Sequence, residues 1–522
     1  MLIGLALSTI APAMTAQTTE EPVVKENIYA TNITPDGKWL GSFGGSASIY
    51  NIQEGGDPVF YQECSLGLGN SITLDGMAVG DRNDVAVIMK DGDAEVPMSL
   101  RSYWMSAFNG ITPDGSRATG YVNNPKVTSD NGMDFTGANE VSLVPFYVDI
   151  AADGTVSEVH ILPYPEKDFL GLRPQMVTAL FISDDGKTIL GQVTDSFGRM
   201  CDPIVFQEDE NGEWSYSQPS KPLFNPDGVV LPPDPYANAP EVPELENFMD
   251  PDSYELYDEA VRAYFMGETS EEPDPFDYMT IEQEQEYYAA VEAYQQYFRQ
   301  IEQQLKEFDE AYVKILTTSV LFSLNEVAMN GKGTQFAISA ASYTFETDGL
   351  RIYRFDIENG DYELIESDII DVAPRQILSD GTLVVATGMM DISTSYLLLP
   401  GAKEYISIYD YFKETNPEYA EWMQTTIPRK SGLVSVSDDL STFAGGLLAD
   451  HFAEINDDMT YFYSYVFTDA KTAAVAAPKA QPVVDSYKVF NLQGVKVMET
   501  KDASQLNSLK GLYIINGKKV ML

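Results

Sequence analysis

The chain has 522 residues, 80 of them acidic and 32 basic, for a formal charge of −48. That field repels nucleic acid and anionic lipid headgroups and leaves cationic partners or ions as the compatible class. Hydrophobic residues at 44% support a large globular core, while only two cysteines and two histidines rule out CxxC, HExxH and His-rich metal motifs.

At the N-terminus, residues 2–13 form an apolar run followed by small residues, with expected cleavage after Ala13 or Ala16. The run is too short to cross a bilayer and suits a secretory signal peptide over residues 1–16. It lacks a preceding basic region, the pattern expected if translation begins upstream. No other segment is apolar enough to span a membrane.

A short pattern then recurs through residues 23–469: an apolar residue, Ser or Thr, then Asp-Gly or a relative, then an apolar strand that often reaches a glycine. The copies are Ile33–Gly41, Ile72–Gly80, Ile111–Gly120 and Ile182–Gly191, with looser ones at Met329-Asn330-Gly331, Leu378–Gly388 and Val436–Gly445. Asp-Gly between apolar strands is a tight-turn signal, because Gly accepts positive φ and Asp tolerates it. Second turns follow most copies, at Gly55-Gly56, Asp91-Gly92, Asp153-Gly154, Asn211-Gly212, Asn359-Gly360 and Pro400-Gly401. Two hairpins per unit, repeated seven times, predict an all-β, seven-bladed β-propeller. The copies resemble the "PDG" repeats of WD40-like propellers, a resemblance that bears on fold and not on activity. The seventh unit lacks its second hairpin, and a strand near Val23 to Tyr29 is expected to complete it.

In such a unit the first and third connections are the tight turns, so the longer second and fourth connections share the opposite face. One of these, 219–316, is an acidic insert that begins Pro-rich and turns helical. Residues 241–310 hold 21 acids and three bases. A first helix is expected near Ser253–Met266 and a second from Thr280 to Leu316, with an apolar stripe from Tyr287 to Ile315 at period 3.5. The stripe predicts a helical hairpin packed on itself and on the propeller disc; the alternative is an arm or lid that recognises a partner through its tyrosines. A further helical stretch, Ser407 to Trp422, falls in another fourth connection.

Residues 470–482 read as an Ala- and Lys-rich linker, and the tail over 483–522 reverses the charge, with six lysines and two acids from Lys488 onward. Its strands alternate around turns at Gln493-Gly494 and Asn516-Gly517, a small β-sandwich-like module. The pattern Phe490–Val497, then Leu509–Ile514, then Lys518-Lys519-Val520 resembles the type A C-terminal sorting domain of the type IX secretion system. The resemblance implies roles for Gly494, Gly511, Tyr513, Lys518 and Lys519, the secretion machinery as partner, passage through the periplasm, and a secreted or cell-surface destination.

No motif names a catalytic residue, a cofactor or a metal ligand. Cys64 and Cys201 are open to a disulfide in an oxidising compartment or to lives as isolated core residues. His160 lies in an apolar run and reads as a strand residue, and His451 in a loop-like context. Three functions are compatible with this sequence. The first is a binding protein for a glycan, peptide or protein, engaging it on the long-connection face through aromatic residues such as Tyr121, Phe197, Tyr343 and Phe452. The second is a polysaccharide- or peptide-degrading enzyme using carboxylates at the propeller mouth. The third is a structural subunit of a surface assembly.

Overall fold

The computed structural model describes residues 23–26, 29–43, 46–127, 141–195, 198, 201–235, 239–240, 242–266, 269–270, 272–345, 349–387, 395–417, 420–421, 431–448, 462–468, 487–490, 496–500, 512–515 and 518–521. The signal segment, the linker, His451, Phe197, Phe452, Gly494 and Gly511 lie outside them. The chain divides into two units: residues 220–321 with 342–348 form one, and the remainder forms the other. Among the described residues no helix is long and apolar enough to cross a membrane.

The larger unit is almost entirely antiparallel β. Sheet 1 contains Tyr29–Ile33, Trp39–Phe43, Ala47–Asn51 and Val59–Tyr61; sheet 2 contains Cys64–Leu66, Ala78–Arg82, Val85–Lys90 and Asp93–Glu95. Sheet 3 (Ser106–Ile111, Arg117–Asn123, Leu143–Asp149, His160–Ile161) and sheet 4 (Met176–Ile182, Thr188–Thr194, Cys201–Glu208, Trp214–Ser217) are joined by one parallel bridge, Leu143 to Met176. Sheet 5 contains Leu321–Met329, Gln335–Ala341, Arg351–Asp356 and Tyr362–Ile365, and sheet 6 Val372–Ile377, Leu383–Thr387, Ser395–Leu398 and Ile406–Ser407. Sheet 7 takes Ser431–Val436, Thr442–Leu448 and Phe462–Thr468, and its fourth strand is Val23–Glu26, with Val23 opposite Val466. Strands a to d denote the order within each sheet.

Apolar clusters join successive sheets, which is where the core sits. Ala47 and Ile49 of sheet 1 cluster with Cys64, Ala78, Val87 and Met89 of sheet 2. Val79 and Ala86 continue into Phe108, Ile111 and Phe146 of sheet 3 and Val177, Ile182 and Phe206 of sheet 4. Ala337 and Ile352 of sheet 5 meet Val372 and Leu383 of sheet 6, and Leu378 and Val384 meet Val436 and Phe443 of sheet 7. Sheet 7 returns to sheet 1 through Ala444 against Ile33, Leu40 and Tyr50. Sheets 4 and 5 are tied by the Gln192 amide, which donates to the Ser323 carbonyl at 2.8 Å and accepts from the Asn325 N–H at 2.8 Å.

The Asp-Gly repeat is the a–b turn. In sheets 1, 3, 4 and 7 the hydroxyl of Thr34, Thr112, Ser183 or Ser437 donates to the Asp two residues on at 2.7–2.8 Å and accepts the N–H five residues on at 2.9–3.1 Å. The residue after that Asp takes positive φ, which Gly37, Gly115 and Gly186 provide without strain and Leu440 adopts at 58°. Sheet 5 departs from the expected reading. Its positive-φ turn residue is Gly333 and not Gly331, and Asn330 replaces the hydroxyl by accepting the N–H groups of Thr334 and Gln335.

The glycine that closes each motif has a separate cause. Strand a carries a bulge in sheets 1, 3, 4, 6 and 7, between Ala30 and Asn32, Phe108 and Gly110, Ala179 and Phe181, Pro374 and Gln376, and Leu433 and Ser435. A Cβ at Gly80, Gly120 or Gly191 on strand b would fall on the carbonyl oxygen of Ser65, Ala107 or Thr178 of strand a. Only glycine admits that approach.

In the second unit the helices are α1 (Pro251–Phe265), α2 (Ile281–Gln300) and α3 (Glu302–Thr318). Asp250 caps α1 by accepting the Ser253 N–H, and Thr280 with Gln283 forms a capping box on α2. The single long helix expected over 280–316 is broken at Ile301, whose φ of −102° and ψ of 10° end α2 and start α3. α3 buries Phe308, Tyr312 and Ile315, whereas α1 and α2 bury no residue fully. The stripe is half-buried along α2, at Tyr287, Val291, Tyr294 and Phe298, and becomes fully buried in α3. The other expected helix is α4 (Ile408–Thr415), which buries Ile408, Tyr411 and Phe412.

The tail forms one antiparallel sheet in the order Lys496–Thr500, Tyr487–Phe490, Leu512–Ile515, Lys518–Met521. Register places Tyr513 opposite Val520, Ile514 opposite Lys519 and Ile515 opposite Lys518. The described residues of the tail contain this one sheet and no second layer.

Candidate binding face

Antiparallel order puts the a–b and c–d turns of a sheet on one side and the b–c and d–a connections on the other. The a–b turns of neighbouring sheets are hydrogen-bonded together. Leu74 N–H donates to the Pro113 carbonyl at 2.9 Å, Asp184 N–H to Gly331 at 2.7 Å and Asp438 N–H to Pro35 at 2.9 Å. The Ser379 N–H donates to the Asp438 carboxylate at 3.1 Å, joining sheets 6 and 7. This side is therefore built of short turns that spend their donors on one another.

Two carboxyls on that side, Asp184 and Asp438, are raised. Asp438 is held above the usual carboxylate range by burial, against the pull of the Ser379 N–H, with Asp380 and Asp439 adding repulsion. Asp184, whose carboxyl abuts Gly331, is raised by desolvation and then by Asp438 and Asp185. Sheets 4 and 7 thus place like charges within each other's field. A carboxyl with a raised folded-state pKa weakens the fold once ionised, so its penalty grows as pH rises through that pKa. Asp438→Asn is expected to raise the melting temperature at pH 7, and the gain should vanish below the ordinary carboxylate range; a pH series of melting curves checks this.

The opposite side carries the long connections of the larger unit: 96–105 and 162–175 between sheets and 124–142 within sheet 3. Long connections on a rigid scaffold are where binding groups gather. Here Tyr121 lies within strand b of sheet 3, two residues from its end. It is half-buried, and its phenol is raised by burial and then by the charges of Asp81 and Asp84. Asp81 is itself raised by burial, against the Asp84 N–H. Asn83 and Asp84 form the tight b–c turn of sheet 2, with φ of 51° and 62°. The Asn123 side chain accepts the N–H groups of Trp104 and Met105 at 3.0 and 3.3 Å, which fixes the 96–105 connection and leaves the Trp104 side chain 39% exposed. A phenol, two carboxylates and an exposed indole suit hydroxyl-rich or cationic groups that also offer an apolar face.

Tyr343 is 76% exposed and belongs to the second unit, so the structure does not group it with Tyr121. Asp81, Asp84 and Trp104 were not legible as a site from the sequence. The tight turn at Asn83-Asp84 was the available signal, and nothing in the sequence pointed it toward Tyr121. Among the described residues no group of three or more His, Cys, Asp or Glu is placed to hold a metal ion.

The histidine and the cysteines have structural surroundings. His160 stacks on Tyr147 with ring centroids 4.9 Å apart. Tyr147 and Trp214 also flank Arg117, which joins Asp149 at 2.6 Å, Glu208 at 2.9 Å and the Gly186 carbonyl at 3.0 Å, linking sheets 3 and 4. Cys64 and Cys201 are free and buried, so they do not pair. Burial pushes the Cys201 thiol up to about 12 despite a hydrogen bond with Thr194, and burial raises Cys64 as well. Native protein is expected to resist iodoacetamide at pH 8 and to take up two labels after urea unfolding; rapid native labelling would contradict this placement.

No family model matches the chain, and no curated protein matches it. Solved structures do resemble it at low identity. A TolB homologue from Agrobacterium tumefaciens shares 11% identity over 65% of this chain and 80% of that one, with a TM-score of 0.31. TolB from Acinetobacter baumannii shares 11% identity over 72% of this chain and 61% of that one, with a TM-score of 0.30. An oligogalacturonate lyase solved with manganese shares 8% identity over 87% of this chain and 92% of that one, with a TM-score of 0.42. These are β-propeller proteins.

Proposed function

We propose that the larger unit is a seven-bladed β-propeller, each four-stranded group forming one blade, and that it serves as an exported binding protein. The ligand is a glycan, peptide or protein engaged on the side of the long connections. The observation that carries this reading is the asymmetry of the two sides: one is a mesh of mutually bonded turns, the other holds the longer connections 96–105 and 162–175 together with Tyr121, Asp81, Asp84 and Trp104. The tail sheet, with Tyr513, Lys518 and Lys519 on its strands, supports recognition by the type IX secretion machinery, which requires passage through the periplasm to the surface. Deleting residues 483–522 is then expected to strand the chain in the periplasm of a host with that machinery; unimpaired secretion would remove the sorting role.

The test of function is a screen of the purified chain against glycan and peptide arrays, read for retention and for hydrolysed products. Retention that Tyr121→Phe with Trp104→Ala weakens, and that Lys38→Ala on the turn side leaves intact, supports the binding reading. Turnover would favour the degrading-enzyme reading, for which the two raised carboxyls Asp184 and Asp438 are the ones to replace first.

A further inference from the structure

Among its described residues the second unit holds an apolar surface that its own fold covers only in part. Phe248, Phe276, Tyr287 and Tyr288 form a ladder of rings, with centroids 5.5 Å apart for Phe248 and Tyr287, 5.9 Å for Phe276 and Tyr287, and 5.2 Å for the stacked pair Phe276 and Tyr288. None of the four is fully buried, and Tyr288 is 50% exposed. Ile281, at the start of the same helix, is 74% exposed. A helix gains most of its stability from burying its apolar face, and along α2 that face is half-buried with no side chain fully buried, so part of that gain is left unrealised.

The charge around the ladder is one-sided. Residues 272–286 contain six acids and no base. Among the described residues of this unit the ion pairs are Arg262 with Asp258 and Lys306 with Glu310, both one helical turn apart and outside that stretch. The third base of residues 241–310, Arg299, donates to the Gln295 carbonyl. The carboxylates flanking the rings are not neutralised by any of these bases.

We propose that this ladder docks a cationic amphipathic segment of a partner protein. Its apolar side chains would lie on Phe276, Tyr287 and Tyr288, and its Lys or Arg groups over Glu282, Glu284 and Glu286. The charge selects this occupant over the alternatives: a second copy would bring the same acidic stretch against itself, and an anionic lipid surface is repelled. Aromatic rings supply the apolar contact and accept cations on their faces, so a single surface serves both halves of such a segment. The inference stands apart from the ligand proposed for the larger unit.

The experiment uses the full chain and a labelled leucine-lysine peptide with its leucines at helical spacing, followed by fluorescence anisotropy at low and high salt. Controls are the same peptide with glutamate for lysine and a scrambled leucine-lysine sequence. The expected result is saturable binding of the amphipathic cationic peptide alone, weakened by salt. The variant Phe276→Ser with Tyr288→Ser should lose about tenfold in affinity with its denaturation midpoint unchanged. Glu284→Gln with Glu286→Gln, which leaves the rings in place, should reduce the salt dependence. Absence of saturable binding, equal binding of the scrambled peptide, or unchanged affinity in the ring variant would overturn the proposal.

Discussion

Replacing Gly120 by alanine is expected to cost about 3 kcal/mol or more, because the backbone itself must move. The Cβ would land on the Ala107 carbonyl oxygen and within reach of the Phe108 Cα, both main-chain atoms that cannot rotate away. Phe108 and Phe146 pack beside it with centroids 5.5 Å apart, so opening the two strands disturbs the cluster that joins sheets 2, 3 and 4. Urea denaturation gives the measurement, read as a lower midpoint at constant slope. Gly154→Ala is the comparison. Its φ is 83° with nothing within 4 Å of an added Cβ, so it pays only left-handed strain, about 1–2 kcal/mol. Equal losses at the two positions would show that close approach is not what the strand glycine serves.

The second large effect is expected at Arg117. Its side chain is 17% exposed and that of Glu208 14%, whereas Asp149 is half in solvent at 51%. Burial works against the guanidinium charge, and the hydrogen bonds to Asp149 and Glu208 outweigh it. Arg117→Met keeps the apolar stem between Tyr147 and Trp214 but leaves Glu208 buried without its counter-charge, for a loss of about 3 kcal/mol. Breaking one partner of a buried pair costs more than removing both, so Arg117→Met with Glu208→Met should recover much of that loss. A double-mutant cycle by denaturant melts reads the coupling directly. No recovery in the double variant would mean that the aromatic stack, not the ion pair, holds sheets 3 and 4 together at this point.

What the sequence made legible follows from local chemistry. The turns were readable at Thr34 to Gly37 and its relatives because hydroxyl, Asp and Gly each satisfy a backbone need within a few residues. The partner of the last strand was readable from the missing hairpin in the seventh unit, and Val23–Glu26 takes that place. The fifth copy misled, since Asn330 does by amide what Ser or Thr does by hydroxyl, and the turn glycine moves on to Gly333. The reason for Gly80, Gly120 and Gly191 was invisible, because the carbonyl oxygen that each meets lies on another strand, bulged opposite Gly120 and Gly191. The stripe was seen, but that it is half-buried along α2 and fully buried only in α3 was not, since periodicity reports which side chains share a face and says nothing of what covers that face. Tyr121 was named from its position near a connection. Asp81, Asp84 and Trp104 reach the same side through the packing of sheet 2 against sheet 3, which no local pattern records.

Hydrogen exchange of the purified chain, with and without a ligand retained from the array, is the measurement that bears most directly on the binding-face assignment. Protection concentrated in 96–105, 118–127 and 162–175, with the a–b turns at 34–38, 112–116 and 437–441 unchanged, is the predicted result. Protection confined to those turns, near Asp184 and Asp438, would contradict it and move the site to the opposite mouth.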